Sequence, residues 1–277
     1  MKLVIQSHGP APALRRCVRY YYQVEDLFES ALALQPVPAR SPEIIEFMFA
    51  THYRIERLDA QVVEECWPAT LVGTRTHRGV NLFLSGRIDA FTIAFRPGGI
   101  SALFGIPSQE LTNCDFDAYT MPGGGISELR QRLGEATGFA KRVQVADAFL
   151  TDRRQDFDRP SPAIKAARMI HLCRGAARID DLVDRTGLGI RQFERRFVRE
   201  VGMPPKLYAR IVRFEAALRM KAARPETRWI EVAHALGYFD QMHMVHDFKR
   251  LSGETPSVIV DQLDMFVQPE VAARQPA

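Results

Sequence analysis

The chain has 277 residues, 46% of them hydrophobic and 25% charged, with a formal net charge of +4. This length exceeds one average domain and this composition is that of a folded protein, so two globular domains are expected and extensive disorder is excluded. No apolar run approaches the roughly 20 residues of a membrane span, and MKLVIQSHGP lacks the apolar core of a signal peptide, so a cytoplasmic protein without a membrane partner is expected. Cys17, Cys66, Cys114 and Cys173 stand far apart with no CxxC pair. They give neither a zinc site nor a disulfide framework, and reduced, mostly buried thiols are expected. Residues 160–262 hold 18 Lys and Arg against 12 Asp and Glu, an excess of six, while the rest of the chain is slightly acidic. A polyanionic partner for the C-terminal third fits that asymmetry, and so does a plain solvated surface.

The first half is built of β-branched and aromatic stretches: RCVRYYYQV from Arg16, EIIEFMFATHYRI from Glu43 and GRIDAFTIAFRP from Gly86. Their alternation predicts short strands, punctuated by turns at QPVPARSP, RPGG and MPGGG. FRPGG reads as a strand end with a glycine turn rather than a ligand loop. MPGGG reads as the loop before a helix, because no GK[ST] follows to make a phosphate cradle. From Ile126 the apolar spacing becomes three and four, so ISELRQRLGEATG and KRVQVADAFLTD predict two helices closing the domain. Ile126, Leu129, Leu133, Val143, Val145 and Phe149 supply their apolar faces, which either cover the β layer or meet a second copy of the chain. The charged, proline-containing TDRRQDFDRPSP is the linker candidate. The expected division is 1–152 as a sensory and dimerisation domain, 153–162 as linker, 163–263 as a helical domain and 264–277 as tail.

Beyond Ala163 one unit occurs twice. DLVDRTGLGIRQFERRFVREVGMPP from Asp181 aligns with EVAHALGYFDQMHMVHDFKRLSGETP from Glu231, pairing Gly187 with Gly237, Phe197 with Phe248, Gly202 with Gly253 and Pro205 with Pro256. Each copy reads as a short amphipathic helix, a glycine turn and a second helix with a buried phenylalanine, the layout of a helix-turn-helix. In the first copy Ile179, Leu182 and Val183 face inward, and Phe193, Phe197 and Val201 anchor the second helix. Its outer strip is then Arg191, Glu194 and Arg195, with Gln192 beside it and Arg196 and Arg199 as further guanidinium forks for guanine edges and phosphates. In the second copy Ile230, Val232, Ala233 and Leu236 form the inner stripe, Asp240 caps the next helix, and Met244, Phe248 and Leu251 point inward. Gln241, Met242, His243 and His246 face out, with Lys249 and Arg250 placed for phosphates. Glutamine reads adenine and methionine meets a thymine methyl. His243 and His246 also suit a metal by spacing, but no third ligand of the right type is near, so no metal is expected. Between the copies PPKLYARIVRFEAALRMKAA from Pro204 predicts a strut helix of about 30 Å that sets the two reading helices near one DNA turn apart.

These motifs, above all RQFERRFVREVGMPPKLYARIVRFEAAL and GYFDQMHMVHDFKRLSGETP, resemble the DNA-binding domain of the AraC/XylS transcriptional regulators over residues 163–262. The resemblance implies seven helices, recognition helices after Gly189 and after Asp240, and base-reading positions at Arg191, Glu194, Arg195, Gln241, Met242, His243 and His246. The chain departs from the family pattern at Gly189, where serine is common, at Met242, where a small polar residue is common, and at His246, where arginine is frequent. GTRTHRGVNLF, FRPGGISALFGIPSQEL and RLGEATG resemble the variable domain that precedes this reader in one poorly characterised branch. That likeness implies sensing and dimerisation on a β-barrel or cupin-like frame. No HxH pair supports a cupin metal.

The fold class expected is therefore α+β, a mostly β domain closed by helices followed by an all-α tandem helix-turn-helix. The expected partners are double-stranded DNA through its major groove, RNA polymerase, a second copy of the chain and a small-molecule effector, with no cofactor, metal or catalytic residue. The alternative is a DNA-repair or small-molecule enzyme that uses this reader for targeting. Repair of that kind needs clustered thiolates, and no Ser/His/Asp or paired-carboxylate constellation marks a catalytic site.

Overall fold

The computed structural model describes residues 4–153 and 160–262, and no side chain of residues 29–32. Most of the expected linker and the whole expected tail, 264–277, lie outside the described residues. Among the described residues the N-terminal part is one antiparallel sheet of eight strands: β1 (Val4–His8), β2 (Val18–Val37), β3 (Ile44–Met48), β4 (Arg54–Arg57), β5 (Val62–Glu65), β6 (Ala69–Val72), β7 (Val80–Phe95) and β8 (Asp115–Asp117). Its order is β1-β2-β7-β3-β6-β8, with β4 and β5 branching from the first half of β7. The long strands β2 and β7 pair along their length and carry the others. Among the described residues the sheet stays open, so the expected barrel is corrected to an open sheet. A closed ring would need a further pairing between its outer strands, and β8 is only three residues long.

The alternation that predicts strands sorts side chains to two faces. Ile45 and Phe47 of β3 join Phe91, Ile93 and Phe95 of β7 in one core, whereas Met48, Ile88 and Ala90 belong to another. The first core is roofed by α1 (Gly99–Phe104), α2 (Ser108–Leu111), α3 (Ile126–Glu135) and α4 (Phe139–Asp152). Gly98 takes the left-handed turn between β7 and α1, and Gly125 caps α3 at the end of MPGGG, both as the sequence predicts. Polar locks fix α4 to the sheet: Arg142 grips Asp89 through two bonds of 2.6 and 3.1 Å, and the Tyr21 hydroxyl donates to Asp147 at 2.6 Å.

Those two helices decide between the two alternatives for their apolar faces. Ile126, Leu129, Leu133 and Val143 are buried within the chain, and Val145 and Phe149 pack against the same core. The apolar faces offered for a second copy are thus consumed by the sheet. The thiols also differ from expectation, since Cys17 and Cys66 are buried while Cys114 is half-buried and Cys173 exposed.

Among the described residues the C-terminal part has seven helices: α5 (Pro162–Leu172), α6 (Ile179–Asp184), α7 (Ile190–Val201), α8 (Pro205–Ala223), α9 (Trp229–Ala235), α10 (Gln241–Ser252) and α11 (Pro256–Gln262). They share one continuous core. Polar contacts dock this bundle onto the sheet. The buried Glu215 of α8 accepts from the Ser41 amide at 2.5 Å and its hydroxyl at 2.8 Å, Thr112 donates to the Gly202 carbonyl at 2.7 Å, and the Ala39 amide donates to the Leu251 carbonyl at 2.8 Å.

Candidate nucleic-acid interface

The first unit is α6, a turn and α7. In that turn Gly187 stands at φ +67°, in the left-handed region where a side chain would be strained, and Gly237 sits at φ +70° in the equivalent turn of the second unit. Phe193, Phe197 and Val201 are buried, with Phe193 against Phe197 at 5.6 Å and Phe197 edge-on to Tyr208 of α8 at 5.7 Å. With that side fixed inward, Arg191, Gln192, Arg195 and Arg199 are exposed, and Glu194 and Arg196 half-buried. Arg196 and Arg199 lie 3.4 and 3.5 Å from Glu200, whereas among the described residues Arg191 and Arg195 have no ion-pair partner. The two cations nearest the N-terminal end of α7 therefore carry uncompensated charge. Gly189 holds the N-cap position with no side-chain bond, so this helix start lacks the stabilisation that Asp240 gives α10.

The second unit is α9, a turn and α10. Val232, Ala233 and Leu236 are buried and Ile230 half-buried, while the Asp240 carboxylate accepts the His243 amide at 2.7 Å. Met244, Phe248 and Leu251 are fully buried, with Phe248 wedged between Phe214 at 4.7 Å and Trp229 at 5.6 Å. Gln241, Met242, His243, His246, Lys249 and Arg250 are exposed, and Val245 is half-buried. His243 has a second engagement. Its Nδ1 accepts the Phe239 amide at 3.4 Å and its ring meets Tyr238 edge-on at 5.4 Å. An accepting Nδ1 places the ring proton on Nε2, leaving one outward donor.

Both units pack on α8, whose 19 residues span about 28 Å at 1.5 Å per residue. Pro204 and Pro205 stand at its start, as predicted. Asp247, buried on α10, receives two bonds from Arg210 of α8 at 2.6 and 2.9 Å, which ties the second recognition helix to the strut. Asp247→Ala should leave Arg210 without its partner and cost about 2 kcal/mol, below the range for a fully buried pair because Arg210 still reaches water. Urea denaturation of the full chain checks this. An unchanged midpoint would remove Asp247 from the scaffold.

Residues 182–262 match the family described as a helix-turn-helix domain, and residues 6–117 match a domain of unknown function (DUF6597). The C-terminal region is an AraC-type helix-turn-helix domain. The whole chain also resembles ToxT from Vibrio cholerae in fold. A 1.65 Å structure of ToxT shares 10% identity at a TM-score of 0.54, covering 87% of this chain and 99% of ToxT. An apo structure of a ToxT point variant shares 11% at 0.54, over 92% and 100%. Wild-type ToxT bound to an unsaturated fatty acid shares 7% at 0.52, over 96% and 97%. Among curated proteins no match is found.

On the AraC-type domain, sequence reasoning missed one exposed side chain. Phe239 is 89% exposed, directly before the cap of α10, and Met242 beside it is 59% exposed. The signal was available: Tyr238 supplies the buried aromatic of that turn, so a second aromatic at 239 has no inward place. Ile190, the first residue of α7, is exposed at the corresponding end of the other recognition helix. Among the described residues no group of three or more His, Cys, Asp or Glu could hold a metal, and no helix is long and apolar enough to cross a membrane.

Proposed function

We propose that this chain is a sequence-specific DNA-binding transcriptional regulator of the AraC/XylS type, in which α7 and α10 enter successive major grooves. One observation carries the reading: two copies of the same unit each present a recognition helix with a polar outer face, and a single strut holds both. Arg191 and Arg195 take guanine edges, with Gln192 and Glu194 beside them, and Arg196 and Arg199 reach phosphates. Gln241, Met242, His243 and His246 make the second, less charged reader, flanked by Lys249 and Arg250 on the backbone. Such a regulator acts in the cytoplasm, on promoters that RNA polymerase uses. ToxT is known with an unsaturated fatty acid bound, and on that likeness we propose a small-molecule effector for this chain that acts through its N-terminal domain.

Selection of duplexes from a randomised library by the full chain tests the reading. A consensus with two blocks about one helical turn apart supports it, and recovery without any consensus overturns it. Lys249→Ala should weaken all duplexes alike and lower the slope of log affinity against log salt by about 1, since one phosphate contact is lost. Titration at several salt concentrations reads the slope, and an unchanged slope removes Lys249 from the backbone contacts.

A further inference from the structure

A cavity of about 150 Å³ opens between the sheet and the helical bundle. Arg19 of β2 and Arg96, just beyond β7, line it from one side, and Arg168 and His171 of α5 line it from the other. Among the described residues no acidic side chain lines it. Arg168 donates to the Arg16 carbonyl at 2.7 Å and Arg19 bonds His171 at 2.6 Å. The buried Nε atoms of Arg96 and Arg168 have no hydrogen-bond partner among the described residues. Arg19 and Arg168 bring like charges to Arg96, which on its other side borders the small space that holds the buried Glu43. Burial first, and then those two cations, push its guanidinium below the usual arginine range. Holding Arg96 and Arg168 together, each partly withdrawn from water and with no carboxylate on the cavity wall, costs free energy that an anion would offset. Apart from Ser41, the rest of the wall is mostly apolar, chiefly Phe95, Leu172 and the Tyr208 ring.

We infer that this cavity is a binding site for a small organic anion with a doubly charged head, of the phosphate-monoester class, and a short apolar body. The head takes Arg96 and Arg168 through their forks. A phosphate monoester carries about −1.5 to −2 near neutrality, which matches two guanidinium groups better than the single charge of a monocarboxylate. The body lies against Phe95, Leu172 and Tyr208. Because Tyr208 also packs on Phe197 of α7, an occupant touches both the sheet and the support of the first recognition helix. Naming the ligand an effector rests on the regulator reading; its binding does not, and is measured without DNA.

Calorimetric titration of the full chain with octyl phosphate, octanoate, octanol and inorganic phosphate tests the inference. Octyl phosphate should bind tightest, and octanol and inorganic phosphate at least tenfold more weakly. Arg96→Gln should weaken octyl phosphate at least tenfold, and Leu172→Glu, a change at an exposed position on the rim, should weaken it through charge repulsion without disturbing the core. The inference is overturned if octyl phosphate fails to saturate at about 1 mM. Equal binding of octanoate or octanol, or undiminished binding by both variants, overturns it as well. Loss of DNA binding with intact octyl phosphate binding would strike the regulator reading alone.

Discussion

Replacing Arg191 or Arg195 by alanine should relax base preference at a defined operator position by about 1–3 kcal/mol each, the value of a bidentate arginine contact to guanine. Both side chains are exposed on the outer strip of α7, and among the described residues neither is held by a carboxylate. Their charge is therefore available to DNA. The loss should show as convergence of affinities between the selected duplex and its single-base variants, with little change in urea stability because neither residue packs in the core. The second helix offers fewer forks: Met242 gives an apolar contact, and His243 is partly engaged with Tyr238 and the Phe239 amide. Operator-variant titrations with Arg191→Ala, Arg195→Ala and His246→Ala rank the two readers. If His246→Ala relaxes specificity more than both arginine changes, α10 is the principal reader.

A second large effect is expected at Glu43. This carboxyl is buried beneath the domain contact, in a space shared with Ser41, Thr74, Arg96, Ser108 and Val201 of α7, and neither of its oxygens has a hydrogen-bond partner among the described residues. Burial pushes it up from 4.5 to about 7, against the weaker opposing influence of the Ser108 hydroxyl. Below pH 4.5 folded and unfolded chains both hold the proton. Between about 4.5 and 7 the unfolded chain releases it while the folded chain keeps it, so this group lowers stability as pH rises through that window. The loss amounts to roughly 3 kcal/mol and is complete above the folded value. Glu43→Gln should remove it, leaving the variant close to the parent near pH 4.5 and more stable at pH 8. Urea unfolding of both proteins across this range measures the difference. Parallel stability curves would show that Glu43 does not titrate in the fold.

Features set by local chemistry are legible in the sequence. The spacing of Phe193, Phe197 and Val201 defines the buried side of α7 regardless of what lies beyond it, and the outer strip follows by geometry. Gly187 and Gly237 mark turns because the left-handed conformation disfavours side chains there. Asp240 is readable as a cap from its place before a helical period. Features made by residues far apart in the chain are not. Ser41 meets Glu215 across 174 positions, and Arg19 meets His171 across 152, with no periodicity to announce either. The apolar faces of α3 and α4 are equally suited to a second copy or to the sheet, since periodicity gives a face and not its occupant. The open sheet is hidden for a similar reason: alternation predicts strands, while closure depends on which edges pair. FRPGG reads as a strand end with a turn, and it is one, yet the arginine inside it also lines the cavity between sheet and bundle.

On the proposed reading, one chain engages DNA with two helices mounted on one strut. Methylation-interference mapping of a single chain bound to its selected duplex tests this most directly. Two major-groove patches are expected on the same face of the duplex, about 10–10.5 base pairs between centres, the first lost with Arg191→Ala and Arg195→Ala together. A single patch, two patches on opposite faces, or interference confined to the minor groove would contradict it.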